Sequence, residues 1–457
     1  MLLNWGASKP FERQAVQVEA LQLTALSILI AAIGAIVWGK IDRTAVAIFG
    51  AVCMVITGCL SDKEAFMAVD WNVIILMISF WILAGYFAKS GIPEAIAHRA
   101  VAWSGGDLSK FLIIVGAASG ILSLFVDNVL VILIMAPVAL HITRLLKINP
   151  VPFLIFIGLC ANFTGSALLI GDLPPQMLHS VSGIEFLEFI WQSGRPSSFP
   201  ILMITFAAVL WFFRINFKRQ LRGKAMATEV FAVIDPENGG GVRDKRFAAI
   251  TVISFIATIV ALSLRWLIGL ELGAIAAIGA AVTVLVMETY GRKLSRPSFE
   301  EVLTSLDWRS ILFYISLFIL IGGINRQGLI MMAADAIAPI FASNTALGVT
   351  SVYWLTVPVV GFIEHDAYIL ALLYLVKDFS IQAGVSPWPY WWAILWSGTL
   401  GSNLTVAGAP ALLVALNLCE REGCKVSAKE FFRYSLPFVL ISVFVCYLLM
   451  MVFWVFL

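Results

Sequence analysis

Ten stretches of largely apolar residues constrain this chain more than any other feature. They lie at about 20–38, 44–60, 72–88, 151–171, 198–214, 248–264, 268–288, 309–324, 389–412 and 435–456. Each approaches the roughly 20 residues that a helix needs to cross a bilayer. Composition agrees: 61% of the 457 residues are hydrophobic and 13% are charged, where a soluble domain carries about 25% charge. That excludes an ordinary soluble enzyme. A net charge of +2 is too balanced to argue for nucleic acid as a partner. The six cysteines are scattered, without the spacing of a metal or disulfide framework. The N-terminal segment, 1–19, lacks the charged, apolar, small-residue order of a cleaved signal peptide.

Two further apolar stretches, 111–140 and 346–376, are too long for one ordinary span, and each is interrupted near its middle by charge. Asp127-Asn128 breaks the first, and Glu364-His365-Asp366 breaks the second. A charged turn at membrane depth is tolerated only where it lines a polar cavity. Both stretches therefore read as re-entrant helical hairpins. With the longest polar loop, 215–247, on the cytoplasmic side, the cytoplasmic segments collect 23 of the 30 Lys and Arg residues, and the outer ones seven. The positive-inside rule supports that topology, with both termini outside.

Displacing the chain by 237 residues aligns 70–171 with 307–408 without a gap. Asp70-Trp71 then meets Asp307-Trp308, Gly85 meets Gly322, Gly91 meets Gly328, and Gly171 meets Gly408. Each half carries five spans, an odd number, so the second half would run upside down relative to the first. The expectation is an all-α polytopic membrane protein of two inverted repeats, each with five spans and one re-entrant hairpin. The first repeat is 20–214, with its hairpin at 111–140. The second is 248–457, with its hairpin at 346–376. The segment 215–247, with Asp235-Pro236 and Gly239-Gly240-Gly241, reads as the cytoplasmic linker. Inverted repeats around a midplane site are a transporter architecture.

The repeat places its acidic turn at the same point in each half: Asp127 faces Glu364, and Asn128 faces His365. A carboxylate near the bilayer centre costs several kcal/mol unless paired or hydrated, so these turns are site candidates rather than chance. Some 40 residues on, Asn162-Phe163-Thr164-Gly165-Ser166 precedes Gly171-Asp172-Leu173-Pro174-Pro175, and Ser402-Asn403-Leu404-Thr405 precedes Gly408-Ala409-Pro410. Small, hydroxyl and amide residues beside Gly and Pro predict helices that unwind at the midplane, freeing carbonyls and half-helix N-termini for a substrate. The competing reading is close helix packing by small residues. Candidate substrate- or ion-binding residues are thus Asp127, Asn128, Asn162, Thr164, Ser166, Glu364, His365, Asp366, Asn403 and Thr405. Desolvation favours the protonated form of a buried carboxyl, which makes Asp127, Glu364 and Asp366 candidate proton carriers. No Lys or Arg stands near these turns, a pattern that suits protons, cations or neutral solutes better than multivalent anions. His365 between two acids also permits a divalent metal. Trp388, Tyr390, Trp391 and Trp392 read as an aromatic belt at the outer interface. His98, His141 and His179 read as interfacial residues, and the cysteines as inert small hydrophobes.

The chain resembles the ion transporter superfamily, and within it the branch of arsenite permeases, sodium–proton antiporters and the melanosomal P protein. The matches are Phe125-Val126-Asp127-Asn128 followed by Ala136-Pro137, and Gly165-Ser166-Ala167 through Leu169-Ile170-Gly171-Asp172-Leu173-Pro174. Arg43-Thr44-Ala45, Asp70-Trp71-Asn72 and Leu418-Cys419-Glu420-Arg421-Glu422-Gly423 are also similar to this branch. The resemblance implies a homodimer with an elevator-type movement and a site between two hairpin tips and two unwound helices. By position these are Asp127 and Asn128, Asn162 to Ser166, Glu364 to Asp366, and Asn403 to Thr405. The second tip departs from the branch, which commonly has a second Asp-Asn where this chain has Glu364-His365-Asp366. Neither tip carries the Ser-Asn-Thr turn of the superfamily's dicarboxylate transporters.

The expected function is a secondary active transporter of the inner (plasma) membrane, exporting a cation in exchange for protons. The first alternative is proton-coupled efflux of a neutral metalloid hydroxide such as arsenite; the second is an organic or inorganic anion transporter of the wider superfamily. The expected partners are a small ion or solute, protons or sodium as the coupling ion, membrane lipid and a second copy of the chain. No cofactor and no enzymatic activity is expected. The sequence has no Gly-x-x-x-x-Gly-Lys loop for ATP, so the energy would come from gradients or a separate subunit. An intramembrane aspartyl hydrolase is disfavoured because Gly171-Asp172 has no Tyr-Asp partner in a span. A channel would be excluded by saturable counterflow.

Overall fold

The computed structural model describes residues 8–38, 40–105, 107–145, 148–220, 242, 244–290, 296–363, 365–406 and 408–457. Glu364, the first seven residues of the N-terminal segment and most of the 215–247 linker lie outside the described residues. The rest is almost wholly helical: α1 Ser8–Trp38, α2 Arg43–Ile56, α3 Asp62–Ala68, α4 Trp71–Lys89, α5 Ile92–Ser104, α6 Leu108–Ser123, α7 Asn128–Leu145, α8 Val151–Thr164, α9 Leu173–Ser182 and α10 Ser198–Gln220. After the linker come α11 Lys245–Ser263, α12 Leu272–Thr289, α13 Phe299–Ser305, α14 Trp308–Arg326, α15 Leu329–Ser343, α16 Thr345–Phe362, α17 His365–Ala383, α18 Trp388–Ser402, α19 Pro410–Arg421 and α20 Ala428–Met450. One two-stranded antiparallel pair, β1 Trp191–Gln192 with β2 Arg195–Pro196, interrupts the helices; the sequence reading has no strand there.

Among the described residues, eight helices are long and apolar enough to cross a membrane. Seven are expected spans; the eighth, Thr345–Phe362, is the first arm of the second expected hairpin. The expected spans at 44–60, 151–171 and 389–412 hold shorter helices, because α2 stops at Ile56, α8 at Thr164 and α18 at Ser402. The outer faces are what a bilayer requires: Trp211, Ile253 and Leu285 are each more than 60% exposed.

Local signals explain the boundaries, and they recur at the same spacing in both halves. Ser61 caps α3 through Glu64 N, and Ser298 caps α13 through Glu301 N. Gly91 and Gly328, at φ of +77° and +71°, turn the chain into α5 and α15 in a left-handed conformation that L side chains rarely adopt. Helices α3, α4, α7, α8 and α9 each have a counterpart that begins 237 residues later: α13, α14, α17, α18 and α19.

The chain forms two compact units, each drawing on both halves. The first comprises Met1–Trp71, Asp307–Thr345 and Leu370–Pro387. Within it, α14 lies close on α2 and α3: a Cβ at Gly322 would stand 2.5 Å from Ala68 Cβ, and one at Gly323 would stand 2.8 Å from Met54 Sδ. Gln327 ties the end of α14 to the α2–α3 connection and to α1, donating to the Cys59 carbonyl (2.8 Å) and accepting at its own carbonyl from Gln22 (2.9 Å). The Ser61 backbone N–H and the Arg326 guanidinium hold the Glu64 carboxyl down at about 2, below its ordinary 4.5. A depressed carboxyl stabilises the fold fully above about 4.5, and that contribution is lost as pH falls through about 2. Glu64→Gln is therefore expected to melt slightly below wild type near neutral pH, with the gap closing in strong acid. The effect is small because the pair is exposed. Thermal unfolding at both pH values checks this; a gap that persists in acid contradicts it.

The second unit comprises Asn72–Leu306, Ala346–Ile369 and Trp388–Leu457. Its centre is α8, buried along its whole length apart from Pro152. Phe156 and Phe163 of α8 meet Phe206, Phe213, Phe217 and Phe438 with ring centroids 5.1–6.3 Å apart. The aromatic belt at 388–392 is corrected here. Tyr390, Trp391 and Trp392 are buried, because the Trp392 indole N–H donates to Gln192 Oε1 (3.2 Å) and its ring stacks on Trp396 (5.2 Å). His179, read as interfacial, is likewise buried, with Nδ1 2.6 Å from the Ile184 carbonyl.

Candidate functional site

All described candidate residues lie in the second unit. Four helix breaks build the site: α6 to α7, α8 to α9, α16 to α17, and α18 to α19. Each break frees carbonyls from one helix end and N–H groups from the next helix start, so the backbone itself supplies polar groups at membrane depth.

At the first tip, Asp127 Oδ1 accepts from Val129 N (3.0 Å) and Leu130 N (3.3 Å) and so caps α7. Asp127 is half-buried. Its neighbour Asn128 is buried and donates through Nδ2 to both Asn162 Oδ1 (3.0 Å) and Asp172 Oδ2 (3.1 Å). Asn162 then donates to Ser402 Oγ (3.0 Å) and Asn403 Oδ1 (3.2 Å). A continuous amide and hydroxyl network thus joins the first tip to both unwound segments.

The unwound segments are held open by specific contacts. Thr164 Oγ1 donates to the Gly120 carbonyl (2.7 Å), and Thr405 Oγ1 donates to the Gly361 carbonyl. Both threonines therefore pin an unwound segment to the arm of a hairpin, using the hydroxyl that the sequence reading assigned to substrate. Ser166 Oγ is hydrogen-bonded to Thr399 Oγ1, joining the first unwound segment to α18. A Cβ at Gly171 would lie 2.5 Å from the Gly165 carbonyl oxygen and 2.6 Å from that of Ser123. In the second half, a Cβ at Gly408 would fall against the Ser402 and Val360 carbonyls, 2.7 Å from the latter.

At the second tip, His365 and Asp366 are both buried, and Glu364 lies outside the described residues. His365 Nδ1 stands 2.9 Å from the Gly408 carbonyl, and Nε2 stands 3.3 Å from Asp366 Oδ1.

Two residues outside the candidate set join the site. Ser402 accepts from Asn162. Asp172 caps α9 through Leu173 N (2.9 Å) and accepts from Asn128. Asp172 escaped because the 237-residue register pairs it with Ala409, so the symmetry that singled out the tips gave no signal. Its position directly before Leu173-Pro174-Pro175 is a helix-start pattern that could have found it. No group of three or more His, Cys, Asp or Glu with metal-binding geometry occurs among the described residues. Three acids, Asp127, Asp172 and Asp366, each stand at a helix start, where the half-positive end of the helix favours negative charge.

A family model described as a citrate transporter, CitMHS, matches residues 33–397. An uncharacterized transporter of Mycobacterium bovis is 26% identical over 435 residues, covering 93% of this chain and 96% of its own. The human P protein is 22% identical over 510 residues, covering 94% of this chain and 60% of its own. In fold, the chain is similar to the YdaH transporter of Alcanivorax borkumensis, with a TM-score of 0.55 and 14% identity, over 88% of this chain and 87% of that one.

Proposed function

The chain belongs to the CitMHS citrate-transporter family and is a multi-pass membrane transporter; from that premise we propose that it is a secondary active transporter exchanging a cation for protons. The observation that carries this reading is the sign of the site. Asp172 and Asp366 are buried, and among the described residues the contacts of Asn128, Asn162, Asp172, His365 and Asn403 are amides, hydroxyls, backbone groups and acids rather than Lys or Arg. With its acids ionised, such a pocket attracts positive charge and repels a free multivalent anion. The cargo would sit among Asn128, Asn162, Asp172 and Asn403.

The repeated helix order and the paired glycine contacts support two inverted repeats around this site, 20–214 and 248–457, with re-entrant tips at 111–140 and 346–376. Elevator-type alternating access in a homodimer of the plasma membrane completes the proposal. The lodging of the described site within one compact unit suits such a mechanism, which needs a transport domain that carries its site with it. The family's description favours a second reading, transport of an organic anion such as citrate; it requires that the anion's charge be balanced before it enters.

The test is proton flux in proteoliposomes, screening sodium, lithium, potassium, divalent metals, arsenite and citrate. A cation is expected to release protons saturably, and Asp172→Asn to reduce that flux at least about tenfold, the scale of one lost charge interaction of about 1.4 kcal/mol. Asp127→Asn separates two roles: an asparagine still caps α7, so a large loss there would assign the Asp127 charge to transport. Citrate moving with protons while every cation is silent would establish the second reading.

A further inference from the structure

We propose that Trp396, Ser198 and Thr399 are positioning residues that clamp Ser166, and that the clamped segment sets where the Asp172 carboxyl stands in the site. The clamp follows from which groups can donate. An indole N–H only donates, and a carbonyl only accepts. Trp396 Nε1 donates to Ser198 Oγ (2.9 Å), so the single hydroxyl hydrogen of Ser198 goes to the Ser166 carbonyl, 2.7 Å away. The Ser166 hydroxyl is taken by Thr399 Oγ1. All four residues are fully buried, where a polar group without its partner is costly. Ser166 therefore has both its carbonyl and its hydroxyl committed to the protein, although its place in the sequence marks it as a cargo ligand. It holds the shape of the site.

Trp396, Thr399 and Ser402 recur every three residues along α18, a spacing that keeps them on one side of the helix. Ser402 accepts from Asn162 (3.0 Å). One side of α18 thus grips the first broken helix just before its break, at Asn162, and just after it, at Ser166. Trp396 is held in turn by Trp392, whose ring stacks on it with centroids 5.2 Å apart at 14°. Beside Ser166, Gly165 lies directly against the site. A Cβ there would stand 2.9 Å from Asp172 Cβ and 3.1 Å from Asp172 Oδ2, the oxygen that accepts from Asn128. A shift of Ser166 is therefore passed to the carboxyl through closely packed backbone. Every member of the clamp belongs to the same compact unit as the site. Its loss weakens cargo binding and leaves the maximal rate nearly unchanged. The proposal deepens the transport reading and rests on it for the cargo; the clamp itself does not.

Proton flux in proteoliposomes holding the whole chain, driven by sodium and separately by citrate, tests the clamp. Trp396→Phe keeps an aromatic ring beside Trp392 and removes the N–H, and Ser198→Ala removes the relay. In each, the half-maximal concentration of the probe that moves protons is expected to rise about threefold to tenfold, the scale of one buried hydrogen bond. Maximal flux is expected to stay within about twofold, the pattern of lost binding rather than lost turnover. The double variant is expected to be no worse than Ser198→Ala alone, because both changes break one relay. Half-maximal concentrations unchanged in both single variants, effects that multiply in the double variant, or a loss confined to maximal flux each overturn the proposal. Where Trp396→Phe does not fold, Ser198→Ala decides. A wild type in which neither probe moves protons counts against the transport reading alone, and amide exchange in nanodiscs then decides the clamp. Peptides covering 163–173 are expected to exchange about threefold or more faster in both single variants, as a segment freed from its tether opens more often. An unchanged exchange rate there overturns it.

Discussion

Replacing Gly408 with alanine is expected to destroy the site's architecture and abolish transport, and Gly171→Ala is expected to do the same. Neither glycine has a positive φ, so conformational freedom is not the reason; close approach is. The added methyl group at Gly408 would press on the carbonyls of Ser402 and Val360, and at Gly171 on those of Gly165 and Ser123. These obstacles are backbone, so no rotamer change relieves them. Overpacking in a tight core costs about 1–3 kcal/mol when side chains can shift; here the segment from Ser402 to Gly408 must itself move, so the upper end or beyond applies. The same displacement would pull the Gly408 carbonyl away from His365 Nδ1. Thermal unfolding in nanodiscs checks the prediction, with Gly34→Ala as the control, since a Cβ there meets nothing within 4 Å. Melting temperatures unchanged from wild type in both site variants would contradict the packing described.

The second large effect is expected at Asn162, whose amide is the hub of the network. It accepts from Asn128 and donates to Ser402 and Asn403. Asn162→Ala removes all three partners at once from groups that are at most 4% exposed. Each unsatisfied buried polar group costs about 1–3 kcal/mol. A loss of about 3 kcal/mol or more is therefore expected, unless water enters the space. Transport is expected to fall beyond detection, because Asn128 and Asn403 lose the contact that aligns the two halves of the site. Denaturation with flux measured on the same preparations tests this. A variant that stays as stable as wild type would mean that the network is already bridged by water.

Much of this was legible in the chain. Apolar length located the helices, since a bilayer imposes one requirement on every span. The breaks at Asp127-Asn128 and 364–366, and after Thr164 and Ser402, follow from charge, Gly and Pro in apolar runs, which are local signals. The aromatic segment at 388–392 was misread for the opposite reason. An interfacial belt and a buried cluster have the same composition, and only the presence of Gln192 and Ser198 as indole acceptors distinguishes them. The sequence was silent on what Thr164 and Thr405 bind: both lie where a ligand-binding hydroxyl would be sought, and each donates to a hairpin carbonyl 44 residues away.

The sequence by itself therefore determined that this is a many-span helical membrane protein with broken helices bearing acids and amides, because hydropathy, helix caps and helix breakers act over a few residues. Only the tertiary structure decided which of those groups meet. Asn162 finds Ser402 across 240 positions, Asp172 enters the site without a symmetry mate, Asp127 Oδ1 caps α7, and His365 stands against the Gly408 carbonyl. The physical reason is that a hydrogen bond requires two atoms at a set distance and angle, and in a buried site that geometry is fixed by the packing of distant helices.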